Sequence, residues 1–148
     1  MSAGNESSWT ERERAMARFA SDIGAVLGEL AVPWRTVWMC VEIDSATSVG
    51  WFSYYSDAGR ADVVHSLRLP DEAADAFRRL RETETARLEL TASAWTTATM
   101  TAQREDGVTA TFRLDYGYDP VPIEEEMDRR RQWKATYLPA GARVVNNP

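Results

Sequence analysis

The chain has 148 residues, 44% of them apolar and 27% charged, the balance of one folded domain spanning residues 1–148 rather than of a disordered segment. Seventeen basic against twenty-three acidic residues leave a net charge of −6, the wrong sign for long-range attraction to nucleic-acid phosphate. No apolar run approaches the roughly 18 residues of a membrane span, the single cysteine excludes an internal disulfide, and the charged start "MSAGNESSWTERERAM" lacks the apolar run of a secretory leader, so a cytoplasmic location is expected.

Ser8 and Glu11 form a capping-box pair. Met16, Phe19, Ile23, Leu27 and Leu30 then recur at three-to-four spacing, so a helix is expected over about residues 8–31, ended by Pro33. The segment "WRTVWMCVEID" reads as a strand with Val37, Met39, Val41 and Ile43 on one face and Trp34, Trp38 and Cys40 on the other. Apolar residues on both faces mark a central strand. "SATS" turns the chain into a second strand, "VGWFSYYS", and "DAGR" into a third, "ADVVHSLRL".

Pro70 and Asp71 suit a helix start, and Ala73, Phe77 and Leu80 supply the stripe of a second helix reaching toward Leu88. The stretch "AWTTATMTAQREDGVTATFRLDYGY" is a hairpin. Trp95, Thr97, Thr99 and Thr101 alternate with Ala94, Ala98, Met100 and Ala102, Asp106-Gly107 turns, and Ala110, Phe112, Leu114 and Tyr116 return. After a loop marked by Pro120 and Pro122, "IEEEMDRRRQW" is a third helix, acids first and arginines last as the helix dipole favours. This order predicts an α+β fold, a mostly antiparallel sheet of about five strands with helices packed on it. Beyond the third helix come Tyr137, Leu138 and a proline–glycine stop. A frayed tail gains nothing from Trp133 and Tyr137, so this segment is expected to dock onto the body of the protein.

Chemistry is sparse. His65 stands alone mid-strand without the companions that catalysis or metal binding needs, and Cys40 falls in the most apolar strand, where a thiol is inert. The eight glycines build no phosphate loop, and no nucleophile elbow is present. No catalytic residue, cofactor or metal site, and no enzymatic activity, is therefore expected.

From Asp115 to Asp128 lie six carboxylates (Asp115, Asp119, Glu124, Glu125, Glu126, Asp128) with no base among them. The plain reading is a solvated helix start in which Glu125 and Glu126 pair with Arg129 and Arg130. The functional reading is a surface for a cationic partner; the spacing matches no calcium loop. Trp38, Trp51, Trp95 and Phe112 read as core, whereas Tyr55 and Tyr118 adjoin polar turns and are expected at the surface. Candidate partner-binding residues are thus Asp115, Tyr118, Asp119, Glu124 and Glu125, with Trp51 and Tyr55 on a sheet face as a second location.

The stretch Phe112, Asp115, Tyr116, followed by Arg130, Trp133, Tyr137 and Leu138, resembles the C-terminal signature of YezG-type immunity proteins of bacterial toxin systems. Upstream, Trp34 and Glu42 look like that family's Trp-led first strand, Phe52 to Tyr55 like its paired-tyrosine second strand, and the Trp95 hairpin with its Asp-Gly turn like its hairpin. The likeness covers about residues 10–138, with no counterpart between Asp57 and Arg87. The resemblance implies an antitoxin that binds and neutralises a cognate toxin made by the same cell, often a nuclease, with no catalysis required; from the charge, hydropathy and motifs above no cofactor, nucleic-acid or membrane partner is expected, and a homodimer is left open. The element order is also similar to that of dimeric secretion chaperones and YbjN-type regulators, which is the alternative protein-binding reading.

Overall fold

The computed structural model describes the backbone of residues 3–43, 49–57, 60–88, 94–105 and 109–145. They fall into two compact units, one formed by residues 1–29 and 70–94 and the other by 30–69 and 95–148.

The first unit holds helices α1 (Ala3–Gly28) and α2 (Asp71–Leu88). Their apolar stripes meet at Phe19 and Phe77, edge to face with ring centroids 4.8 Å apart. Ile23, Leu27, Ala73, Ala76 and Phe77 are buried, and Asp22 and Arg79 close the pair with a 2.9 Å ion pair at the surface. Alanines at positions 73, 74 and 76 leave the bulk of the packing to the phenylalanines. Helix α1 departs from the expected 8–31. It begins at Ala3, so Ser8 lies inside it rather than at its cap; no proline or β-branched residue precedes Ser8 to stop the helix earlier in the chain. It ends at Gly28, where the Glu29 N–H turns back to the Val26 carbonyl at 3.2 Å, well before Pro33.

The second unit is a six-stranded sheet in the order β5-β4-β1-β2-β3-β6, with α3 (Glu126–Tyr137) on one face. Its strands are β1 (Trp34–Ile43), β2 (Val49–Asp57), β3 (Arg60–Leu67), β4 (Thr97–Glu105), β5 (Thr109–Gly117) and β6 (Arg143–Val145). All neighbours are antiparallel except β3 and β6. The fold is therefore α+β, as the sequence predicts, but with six strands instead of about five. The extra strand is three residues long and parallel. Its pairing partner, β3, lies about 80 residues away in the chain, which no local pattern reveals. A tight turn delivers it: the Ala142 N–H reaches the Pro139 carbonyl at 3.1 Å, and Gly141 takes φ +78°, a conformation that favours glycine.

Strand β1 sits centrally, between β2 and β4, and has Val37, Met39, Val41 and Ile43 buried on one face and Trp38 and Cys40 on the other. In register with it, Ala98, Met100 and Ala102 of β4 join the first face, and Thr97, Thr99 and Thr101 the second. Trp95 is buried but precedes β4 rather than starting it. The turns expected at residues 45–48, at Ala58-Gly59 and at Asp106-Gly107, and the side chain of Ser8, lie outside the described residues.

Candidate functional site

The C-terminal helix docks on the sheet, and this sets the position of everything in the carboxylate-rich segment before it. Trp133 lies between Phe52, edge on at 5.0 Å, and Tyr54, stacked at 5.9 Å, and its indole N–H donates to Thr99 Oγ1 at 2.9 Å. Around it Trp38, Cys40, Tyr54, Val64 and Leu138 form a buried cluster, with Phe52, Tyr137, Ala142 and Val144 against it. The apolar, even-numbered face of β1 and β2 is thus covered by the tail aromatics. Nearby, the Arg130 guanidinium lies 4.6 Å from the Phe52 ring centroid.

At the other end of α3, Arg129 grips Glu42 with two bonds, Nε to Oε2 at 2.7 Å and Nη2 to Oε1 at 3.0 Å, and its Nη1 donates to the Pro122 carbonyl. The expected pairing of Arg129 with Glu125 is replaced by this one. A bidentate carboxylate in a largely desolvated place outcompetes an exposed one a turn away on the same helix. Glu42 is only 14% exposed.

The connection from β5 to α3 is held from the sheet as well. Thr96 donates its backbone N–H to the Gly117 carbonyl at 2.8 Å and its hydroxyl to the Asp119 carbonyl at 2.5 Å. With Val121 buried and Pro122 tied to Arg129, the short 3-10 turn Ile123–Glu125 is pinned at both sides of its start.

What this scaffold presents outward is an apolar pair inside an acidic rim. Ile123 and Met127, one helical turn apart, are each 79% exposed, and Tyr118 is 59% exposed. Asp119, Glu124, Glu125, Glu126 and Asp128 are all exposed around them in sequence. No protein-family model and no curated protein matches this sequence.

The sequence-predicted residues divide among three places. Tyr118, Asp119, Glu124 and Glu125 belong to the pinned segment. Asp115 lies on β5, on the face that carries α3, where it pairs with Arg113 at 3.4 Å. Trp51 and Tyr55 lie on the opposite face of the sheet. Tyr55, expected at the surface, is buried: it stacks on His65 at 4.9 Å in a central position between β1 and β3. Its neighbouring polar turn misled because the strand carries it a full pair inside the sheet. Ile123 and Met127 escaped the reading of the sequence, since their four-residue spacing within a helix looks like an ordinary buried stripe. The one sequence signal that could have singled them out is that Arg130 and Arg131 stand three and four positions beyond Met127, so the pair continues into no apolar stripe.

A cleft of about 590 Å³ runs along β1, β4 and β5 beside the end of α3, lined by Thr36, Trp38, Thr101, Gln103 and Tyr137 among others. Burial pushes the Cys40 thiol up to about 12, despite a hydrogen bond with Thr99 that works the other way. Among the described residues no group of three His, Cys, Asp or Glu side chains is arranged to hold a metal ion, and no helix is long and apolar enough to cross a membrane.

Proposed function

We propose that this protein is a YezG-type immunity protein, which binds and neutralises a cognate toxin through the surface built by Tyr118, Ile123 and Met127 within their acidic rim. The observation that carries the reading is the exposure of Ile123 and Met127, 79% each, on a segment tied down by Arg129 and Thr96. Large apolar side chains standing in water on a tied-down segment, with acidic residues beside them in the chain, have the layout of a binding hot spot with a polar rim. The rim is acidic, so the partner surface it complements is basic, as a nuclease's phosphate-binding ground is. The residues of the family-like signature support the same reading from another direction. Trp133, Tyr137, Leu138 and Glu42 are the ones that seat α3 and so hold the acidic segment in place.

The test is co-expression with the toxin encoded beside this protein's gene. Exchanging Ile123 and Met127 for serine should speed dissociation and abolish protection. Exchanging Asp119, Glu124 and Glu125 for lysine should instead slow association, an effect that shrinks as salt rises. Full protection by both variants, with unchanged binding rates, would sink the proposal, as would a neighbouring gene that encodes no toxin.

A further inference from the structure

Strand β5 is an edge strand with little of the usual protection. It is nine residues long, pairs with β4 in unbroken register from Thr97↔Gly117 to Glu105↔Thr109, and among the described residues nothing pairs with its outer side. It contains no proline, lysine or bulge, devices by which free edges avoid recruiting another strand, and its two charged residues, Arg113 and Asp115, are of opposite sign. The opposite edge of the sheet, β6, is only three residues long.

The sequence of β5 is also complementary to itself. Its core reads Thr111-Phe112-Arg113-Leu114-Asp115-Tyr116-Gly117. Turned antiparallel about Leu114, a second copy sets Leu114 against Leu114, Arg113 against Asp115 twice, and Phe112 against Tyr116 twice. Each of these cross-strand matches is favourable in an antiparallel ladder, whereas a shift by one residue in either strand destroys them all. The side chains are disposed for it. Arg113 and Asp115 lie on one face of the strand, and Phe112, Leu114 and Tyr116, all partly exposed, line the other. Arg113 is 78% exposed and, among the described residues, bonds the neighbouring Asp115 at 3.4 Å, a weak surface pair that gives way readily.

We infer that the protein forms a two-fold homodimer by pairing β5 with β5 of a second copy about Leu114, which joins the two six-stranded sheets into one. Self-complementary pairing of this kind is the isologous contact of a closed dimer, so it does not propagate into fibres. The inference is independent of toxin binding, and its test needs no toxin.

Sedimentation equilibrium over protein concentrations of about 1–100 µM, suited to an interface below the standard size, should show a species of twice the 16.7 kDa chain mass. Arg113→Asp and Asp115→Arg should each weaken self-association by about tenfold or more, since each replaces two attractive cross-strand pairs with two repulsive ones. The double exchange, Arg113→Asp with Asp115→Arg, should restore the dimer. An equimolar mixture of the two single variants should form a heterodimer although neither pairs with itself. The rescue and the mixture separate loss of pairing from loss of fold. A wild type that stays monomeric throughout, or a dimer indifferent to both single exchanges, would overturn the inference.

Discussion

The indole N–H of Trp133 on α3 donates to Thr99 Oγ1 on β4 at 2.9 Å, a buried bond between groups 34 residues apart. It locks the last helix in one orientation, because the indole has a single donor and Thr99 offers the acceptor on the covered face of the sheet. Trp133→Ala should cost about 3–5 kcal/mol in urea melts, the usual loss for a buried aromatic. Trp133→Phe keeps most of the ring and loses the bond, so about 1 kcal/mol is expected. A loss below about 0.5 kcal/mol for the alanine variant, as for a surface substitution, would show that the helix does not dock.

The Glu42–Arg129 pair should behave differently from the other ion pairs. Its side chains are 14% and 21% exposed and its geometry is bidentate. Removing either partner leaves a poorly solvated charge, so Arg129→Ala should cost about 2–3 kcal/mol. A double-mutant cycle with Glu42→Ala should return a coupling of about 1–3 kcal/mol. The surface pair of Asp22 with Arg79, by contrast, should contribute less than about 1 kcal/mol by the same measurement.

Within the helical unit the apolar contact should dominate. Phe77 is fully buried against Phe19, and Phe77→Ala should destabilise by about 3–5 kcal/mol. The Phe19–Phe77 coupling from a cycle should come to about 0.5–1.5 kcal/mol beyond burial, as edge-to-face rings give. A coupling near zero would place the rings out of contact in solution.

Cys40 confers a pH dependence of known sign. Burial raises its thiol from 9.0 to about 12, so the native state holds a proton that the unfolded chain releases first. The stability it contributes is complete below pH 9 and is lost as pH rises toward 12. Between about pH 8 and about pH 10 the stability advantage of wild type over Cys40→Ala should shrink by about 1 kcal/mol in parallel urea melts. A constant difference across that range would show the thiol to be hydrated.

Much of the fold was legible because it is written in local periodicity. The two-residue alternation of β1 and β4 and the three-to-four stripe of α2 survive in the structure with nearly the expected bounds. Capping, by contrast, was a poor guide: the Ser8–Glu11 pattern is present but lies within α1, since a cap marks a start only where nothing favours continuing the helix. The candidate site was legible as charge and not as shape. The run of carboxylates from Asp115 to Asp128 is plain in the sequence, yet Asp115 points onto the α3 face beside Arg113, Asp119, Glu124 and Glu125 stand in the pinned segment, and Glu126 and Asp128 open α3.

By itself, the amino-acid sequence determined the class of the fold, the alternation that gives β1 two buried faces, and the need for the tail aromatics to find a partner. Each follows from interactions within a few residues along the chain or from the cost of leaving an indole in water. Only the tertiary structure decided that Arg129 turns to Glu42 instead of Glu125, that Tyr55 is buried against His65, that a sixth strand runs parallel to β3, and that Ile123 and Met127 face outward. These are choices between partners of similar chemistry, and what separates them is the local solvation and geometry that exist once distant segments have come together.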